Sequence, residues 1–292
     1  MLLTCSSNKH TIFPVSLFVE VIEILRAKEV EFGLYGDLNM SGALSTPRWR
    51  YLGEYTRWKT AGFGPIRVAW AAGLLFMTRT HWPVAQKLAR RLDRKRDAPL
   101  VFMQHDADRI PFRTYDLLEV ERQFGVRSSN FFFYESAYDD NEPYELDVAR
   151  MQSFENDGWE IGYHLNAYEL AAFDKARTPS ILARDIGWFR ERFNLRSYVP
   201  HGTRNDWPHG GLLNDLICAY NGPCILKEFT WSDGGIEFGR VPSDPRVFAR
   251  ELPRGCRATM LMHPQYYGES PRPDIDVLPI SKAAWWRGLW PR

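Results

Sequence analysis

The chain has 292 residues, and its 37 basic and 36 acidic side chains leave a net charge of +1. That balance gives no electrostatic reason to expect a nucleic-acid partner. A hydrophobic content of 45% is enough for a large core, so we expect one α/β domain spanning residues 1–292. The four cysteines lack C-x-x-C spacing, which argues against a zinc ribbon or a disulfide scaffold and favours a reducing, cytoplasmic location.

Two stretches raise the question of membrane contact. Residues 68–78, VAWAAGLLFMT, form the longest weakly polar run, which is too short to span a bilayer. Together with WWRGLW at 285–290, it is a candidate for peripheral contact at the inner face of a membrane. Packing between helices is the simpler explanation of both stretches.

Helix-like and strand-like segments alternate along the chain. The periodicity predicts helices at 16–26, 66–78, 83–96, 113–124, 144–157, 179–193 and 209–220, and strands at 30–36, 100–105, 128–134, 159–163, 196–200, 223–227 and 257–262. Strands joined by helical crossovers indicate a parallel sheet, either a barrel or an open wound sheet. In both architectures the functional side chains collect where the strands end.

Polar side chains stand at several of these predicted strand ends, namely His105, Asp106, Asp108, His164, His201 and His263. One histidine in such a place is more often a buried core residue with satisfied hydrogen bonds. Jointly, the set predicts a metal or acid–base site. Residues two apart on an extended segment point the same way, so one aspartate can bind the ion while the other accepts a proton.

Carboxylate and imidazole groups without a thiolate suit a divalent cation, with zinc expected first and cobalt, nickel or manganese as alternatives. Such an ion lowers the pKa of a bound water, and a nearby carboxylate can take the proton of that water as it attacks a carbonyl carbon. A further imidazole can protonate the leaving group.

The motifs HDADR at 105–109, EIGYH at 160–164, VPHG at 199–202 and LMHP at 261–264 resemble, in this order, those of the polysaccharide deacetylases of NodB-homology type, carbohydrate esterase family 4. The resemblance covers about residues 98–268 and is closest to a branch found in surface-glycan biosynthesis. It implies a distorted (β/α)7 barrel with an N-terminal extension. Residues 1–97 would pack on that barrel or complete it. The implied activity is metal-dependent removal of an acetyl group from an N-acetylated sugar or glycan.

The resemblance also implies individual roles. Asp106 would be the general base, Asp108 and His164 metal ligands, and His263 the general acid. A backbone amide near His201 would help to bind the oxyanion.

The sequence departs from the family pattern at two places. Tyr168 stands where the family has the second histidine of H-x-x-x-H, so the third ligand would be His201 or a water, unless no metal binds firmly. The arginine that orients the base is also absent from its place, and Arg109 or Arg204 would have to replace it. Aromatic faces suit sugar rings, and an arginine suits polar groups. The candidate substrate contacts are therefore Tyr168, Tyr266, Tyr267 and Arg204.

Three functions stay open at this point. The first is an active deacetylase, and the second is a barrel that has lost its chemistry and binds glycan or assists assembly in polysaccharide biosynthesis. The third is hydrolysis of another C–N bond, such as that of a cyclic amide. Retention of Asp106 and Asp108 favours an enzyme, because a buried acid without a function is costly to keep.

Overall fold

The computed structural model describes residues 13–38, 98–137, 144–202, 212–213, 215–219, 229–234, 244–252 and 254–268. The helices in these ranges are α1 (Val15–Ala27), α2 (Pro111–Phe124), α3 (Val148–Asn156), α4 (Ala167–Leu170), α5 (Thr178–Arg192) and α6 (Pro245–Glu251). The strands are β1 (Phe13–Pro14), β2 (Glu31–Gly33), β3 (Leu100–Ala107), β4 (Ser129–Phe132), β5 (Glu160–Leu165), β6 (Ser197–Pro200), β7 (Ile217–Cys218), β8 (Phe229–Ser232), β9 (Arg257–Met262) and β10 (Tyr267–Gly268). Two short 3₁₀ helices, Tyr35–Asp37 and Pro264–Tyr266, complete the described elements.

Eight of the strands form one curled parallel sheet, a half-barrel, in the order β7-β6-β5-β4-β3-β9-β8 with β2 beside β3. Strand β3 pairs with β9 along one edge. Along its other edge, β3 pairs with β2 from Leu100 to Phe102 and with β4 from Gln104 to Ala107. A separate two-stranded pairing joins β1 to β10. The prediction of a parallel α/β sheet is thereby confirmed, and the half-barrel is compatible with a distorted barrel.

Most predicted elements that fall in the described ranges are present, but the helix predicted at 209–220 is wrong. Ile217 and Cys218 instead form β7, parallel to β6. The apolar spacing in this segment resembles that of a helix, yet pairing with a neighbouring strand decides its conformation. The predicted elements at 66–78, 83–96 and 223–227 lie outside the described residues.

Alternation along β3 separates the two faces of the sheet. Val101 and Met103 pack with α1 and with Phe248 of α6 on the convex face. Leu100 and Phe102 face the concave side, where they meet Tyr35 and Phe131 among others. Successive residues of a strand point to opposite faces, so the even-numbered residues that follow, from Gln104 onward, also face the concave side.

The segment after β2 fills part of that concave side. Tyr35 is fully buried, and its ring stacks on Phe102 with 4.9 Å between ring centroids. Gly36 lies so close to the buried Glu160 that a Cβ at residue 36 would be 2.5 Å from Oε1 of that carboxyl group. The N-terminal helix and strand therefore deliver residues into the interior of the half-barrel.

None of the helices in the described part of the chain is long and apolar enough to cross a membrane. The two stretches considered for peripheral membrane contact, 68–78 and 285–290, lie outside the described residues, so that contact stays a prediction.

Gly162 of β5 provides a test of this packing, since a Cβ there would lie 2.5 Å from the Phe131 ring and 3.2 Å from the backbone oxygen of Ser197. We expect Gly162→Ala to lower the free energy of unfolding by about 1–3 kcal/mol, because a buried ring and a neighbouring strand would have to shift. Urea unfolding followed by circular dichroism measures the change.

Gly187→Ala is the matched control. Apart from its chain neighbours and the backbone of its own helix, no atom lies within 4 Å of a Cβ at this position in α5, so the substitution should raise stability by roughly 0.5–1 kcal/mol through helix propensity alone. Equal stability of Gly162→Ala and the unmodified protein would contradict the tight contact between β4 and β5.

Candidate metal and acid–base site

Five of the residues selected from the sequence lie at the carboxyl ends of β3, β5, β6 and β9. Asp106 and Asp108 come from the end of β3, His164 from β5, His201 follows β6 and His263 follows β9. Asp106, Asp108 and His164 are almost completely buried, with exposures of 1%, 5% and 1%. Because all of these strands are parallel, their ends meet at one edge of the sheet and the side chains approach one another.

His164 lies between a carbonyl group and two carboxyl groups. Its Nδ1 is 3.2 Å from the backbone oxygen of Val199, and its Nε2 is 2.9 Å from Oδ1 of Asp108 and 3.8 Å from Oδ2 of Asp106. A carbonyl oxygen only accepts, so Nδ1 carries the proton that it donates to Val199. Nε2 can then hold either a proton, which it donates to Asp108, or a metal ion.

His263 forms a pair with the buried Asp233. Asp233 accepts from Nδ1 of His263 at 2.5 Å and from the backbone N–H of His263 at 2.8 Å, so the ring is held in one orientation. Its Nε2 lies 3.5 Å from Oδ2 of Asp108. Burial by itself would lower the pKa of His263, but the carboxylates of Asp233 and Asp108 outweigh it and raise this pKa to about 10. His263 is therefore a proton donor at neutral pH.

The Asp108 carboxyl group is ionised for the complementary reason. Its burial opposes ionisation, but the positive charge of His263, the hydrogen bond from His164 and the charge of His201 together hold its pKa well below its usual range. Burial has the larger effect on Asp233 and raises the pKa of that carboxyl group. Of the two carboxyl groups that contact His263, Asp108 therefore has a lowered pKa and Asp233 a raised pKa.

His201 is oriented by Glu169 of α4. Its Nδ1 is 2.7 Å from Oε2 of Glu169, and its ring meets the ring of His164 edge-on with 5.2 Å between centroids. Burial lowers the pKa of His201, but the hydrogen bond to Glu169 and the charge of Asp108 raise it overall. Because Glu169 takes Nδ1, Nε2 is the nitrogen through which this ring would bind an ion.

The backbone N–H of His201 lies where an oxyanion-binding amide is expected, but it has another partner. The N–H of His201 donates to the carbonyl oxygen of Leu165 at 2.8 Å and continues the pairing of β5 with β6. In this conformation that amide is engaged in the sheet, and oxyanion binding by another amide near His201 stays a prediction.

His105 does not belong to the site. It lies inside β3 on the convex face, where its Nε2 is 2.8 Å from Oε1 of Glu121 and its ring meets the ring of Phe18. Trp159 and Ser128 also donate to that glutamate, so His105 is part of a buried hydrogen-bonded cluster beneath α2. The strand extends to Ala107, which puts His105 and Asp106 on opposite faces.

The candidate substrate contacts lie in different environments. Tyr266 and Tyr267 are buried in the core with exposures of 3% and 2%, and only Tyr266 meets the His263 ring, at 5.8 Å between centroids. Tyr168 is partly buried and packs edge-on against Phe173, whose side chain is 42% exposed. Arg204 lies outside the described residues. Contact of these side chains with a substrate stays a prediction.

Two functional candidates were missed by sequence reasoning. Asp233 follows β8, a strand that the sequence analysis did not predict, so its position after a strand was not recognised. Gln104 donates from Nε2 to Oδ1 of Asp106 at 2.8 Å, in place of the arginine expected to orient that acid. The i, i+2 spacing of Gln104 and Asp106 was the available signal.

The side chains offer the nitrogen and oxygen donors that a divalent cation prefers, but in this conformation they are not spaced to hold one. Within the described ranges, no group of three or more His, Cys, Asp or Glu side chains is arranged to hold a metal ion. Asp108 and His164 are in direct hydrogen-bond contact, so an ion would have to enter between them. There it would take the place of the proton that Nε2 of His164 shares with Asp108.

Comparisons of the chain with models of protein families, with curated proteins and with solved structures find no match. Function is therefore inferred from the geometry of the site, and the family resemblance of the motifs remains a prediction.

The His263–Asp233 pair predicts a pH-dependent stability in metal-free protein. Since folding raises the pKa of His263 from 6.5 to about 10, its contribution is fully present below about pH 6.5 and is lost as the pH rises through 10. The difference in unfolding free energy between the unmodified protein and His263→Gln should therefore shrink over this range. Urea unfolding in a chelator at several pH values measures it, and a constant difference would contradict the raised pKa.

Proposed function

We propose that the protein is a metal-dependent hydrolase that removes the acetyl group from an N-acetylated sugar or glycan. The observation that carries the proposal is the meeting of Asp106, Asp108 and His164 with the His263–Asp233 pair at one edge of the sheet. These neighbouring groups supply a base, ligands for a cation and a protonated acid, which are the parts that amide hydrolysis requires.

Asp108 and His164 would hold the cation, with His201 as the third protein ligand and zinc as the first choice of metal. When bound, the ion supplies Lewis acidity that polarises the acetyl carbonyl group and lowers the pKa of water. Asp108 is suited to the role because its pKa is held low, so it presents a full negative charge at neutral pH.

Asp106 and His263 divide the proton transfers. Oδ1 of Asp106 is occupied by Gln104, whereas Oδ2 faces His164 and can accept the proton of the attacking water. The new bond joins the water oxygen to the acetyl carbon, and the C–N bond breaks. His263, protonated at neutral pH and fixed by Asp233, donates the Nε2 proton to the departing nitrogen. The products are acetate and a free amine.

Tyr168 and Phe173 support a sugar as the substrate. They form an aromatic pair beside Glu169, which contacts His201, and the ring of Phe173 is partly exposed. Ala172 and Phe173 have φ angles of 53° and 64°, a strained conformation for residues with side chains, and such strain is concentrated at functional sites. A partly exposed aromatic ring suits the apolar face of a sugar ring.

The first test is metal content, measured by elemental mass spectrometry on protein purified without added chelator. We expect close to stoichiometric metal in the unmodified chain and its loss in Asp108→Ala and His164→Ala. Loss in His201→Ala as well would identify that residue as the third protein ligand. His105→Gln, the matched control in the same motif, should keep its metal.

Absence of metal from the unmodified protein, even after incubation with zinc or nickel, would contradict the hydrolase mechanism. The glycan-binding or assembly role would then be favoured.

The second test is release of acetate from a panel of N-acetylated sugars, with cyclic amides included as the competing substrate class. Asp106→Asn and His263→Gln should each lower kcat by about 10²–10⁴-fold, because each removes one proton-transfer group. Asp106→Asn should also keep its metal. Asp215→Asn, an exposed aspartate that pairs with Arg190, should leave kcat unchanged. Full activity in Asp106→Asn would overturn the assignment of the base.

A further inference from the structure

The carboxyl group assigned as the base is held by a residue of its own strand. Gln104 lies two residues before Asp106 on the concave face, and both side chains are buried, with exposures of 0% and 1%. Nε2 of Gln104 donates to Oδ1 of Asp106 at 2.8 Å. An amide group can present either its NH₂ or its oxygen, so another contact must decide which one faces Asp106.

Tyr35 provides that contact. Its hydroxyl group donates to Oε1 of Gln104 at 2.9 Å and lies 3.1 Å from Oγ1 of Thr259. Since the single Tyr35 proton goes to Gln104, the Thr259 hydroxyl group is the donor in the second contact. The result is a chain of donors that runs from Thr259 through Tyr35 and Gln104 and ends on the carboxylate of Asp106.

The position of Tyr35 is itself fixed by several contacts. The side chain is fully buried and stacks on Phe102, with the ring planes 4° from parallel. Its backbone N–H donates to Oγ of Ser129 at 3.2 Å. The hydroxyl group is thus directed at Gln104 by a rigid environment.

We propose that Tyr35 is a positioning residue for the base. Through Gln104 it fixes Oδ1 of Asp106, so that Oδ2 alone is turned toward His164 and the reacting water. A carboxyl group without this restraint would rotate and present either oxygen to the cation, in competition with Asp108. The inference rests on the proposed function for the role of Asp106, and it assigns a part of the site to the N-terminal segment.

Tyr35→Phe tests this inference, because it keeps the ring on Phe102 and removes only the hydroxyl group. We expect kcat to fall about 10–100-fold, while KM and metal content stay within about twofold, as for a residue that acts through another. In an Asp106→Asn background the same substitution should have no further effect on kcat. An independent structural role would instead give the same loss in both backgrounds.

Tyr115→Phe is the matched control. It removes another buried tyrosine hydroxyl group, which accepts from the backbone N–H of Asp147 and not from a residue assigned to the site. Its kcat should match that of the unmodified protein. Full kcat in Tyr35→Phe, or equal losses in the two backgrounds, would overturn the positioning role.

The side-chain amide signals of Gln104 in ¹H–¹⁵N spectra separate this inference from the proposed function. If the unmodified protein releases no acetate, the proposed function fails, but the spectra still test the chain of donors. Both Tyr35→Phe and Asp106→Asn should shift the Gln104 amide signals and speed the exchange of their protons with solvent. Unchanged signals in both variants would overturn the inference whatever the activity.

Discussion

Strand β3 determines the organisation of the molecule, because it is paired along both edges and buried on both faces. Its neighbours are β9 on one side and β2 and β4 on the other, and all eight of its residues are buried. Because successive side chains of a strand point to opposite faces, the two faces of β3 carry different groups. Val101, Met103 and the His105–Glu121 pair meet the helices, while Gln104, Asp106 and, beyond the strand, Asp108 line the concave side.

The concave side concentrates acids that would be costly to bury singly, and imidazole groups offset that cost. Asp108 contacts both His164 and His263, Asp233 contacts His263, and Glu169 contacts His201. Each partner holds the other in its charged or hydrogen-bonded form, so the loss of one leaves an uncompensated group in a poorly solvated place. The cluster therefore behaves as one electrostatic unit, and the pKa values of His263 and Asp108 move in opposite directions from their ordinary values.

Sequence reasoning predicted the parallel α/β sheet and the strand ends that carry Asp106, Asp108, His164, His201 and His263, because apolar runs and the polar residues after them are local patterns. It failed where a contact distant in sequence decides the outcome. The segment around Ile217 has helical spacing but pairs with β6. His105 stands beside Asp106 in sequence, yet the length of β3 places the two on opposite faces. The pairing of Asp233 with His263 and of Tyr35 with Gln104 depends on the assembled sheet, and no spacing along the chain encodes either one.

The pairing of β3 with β9 has a consequence for the chain as it leaves the ribosome. Leu100 pairs with Arg257, so most of the protein is synthesised before β3 obtains its partner along that edge. Asp233 and His263 are also synthesised well after Asp106 and Asp108. Until then, a strand that is wholly buried in the finished protein has an open edge and apolar side chains exposed to other nascent chains. Aggregation during synthesis, rather than instability of the completed sheet, is thus the hazard that this topology creates.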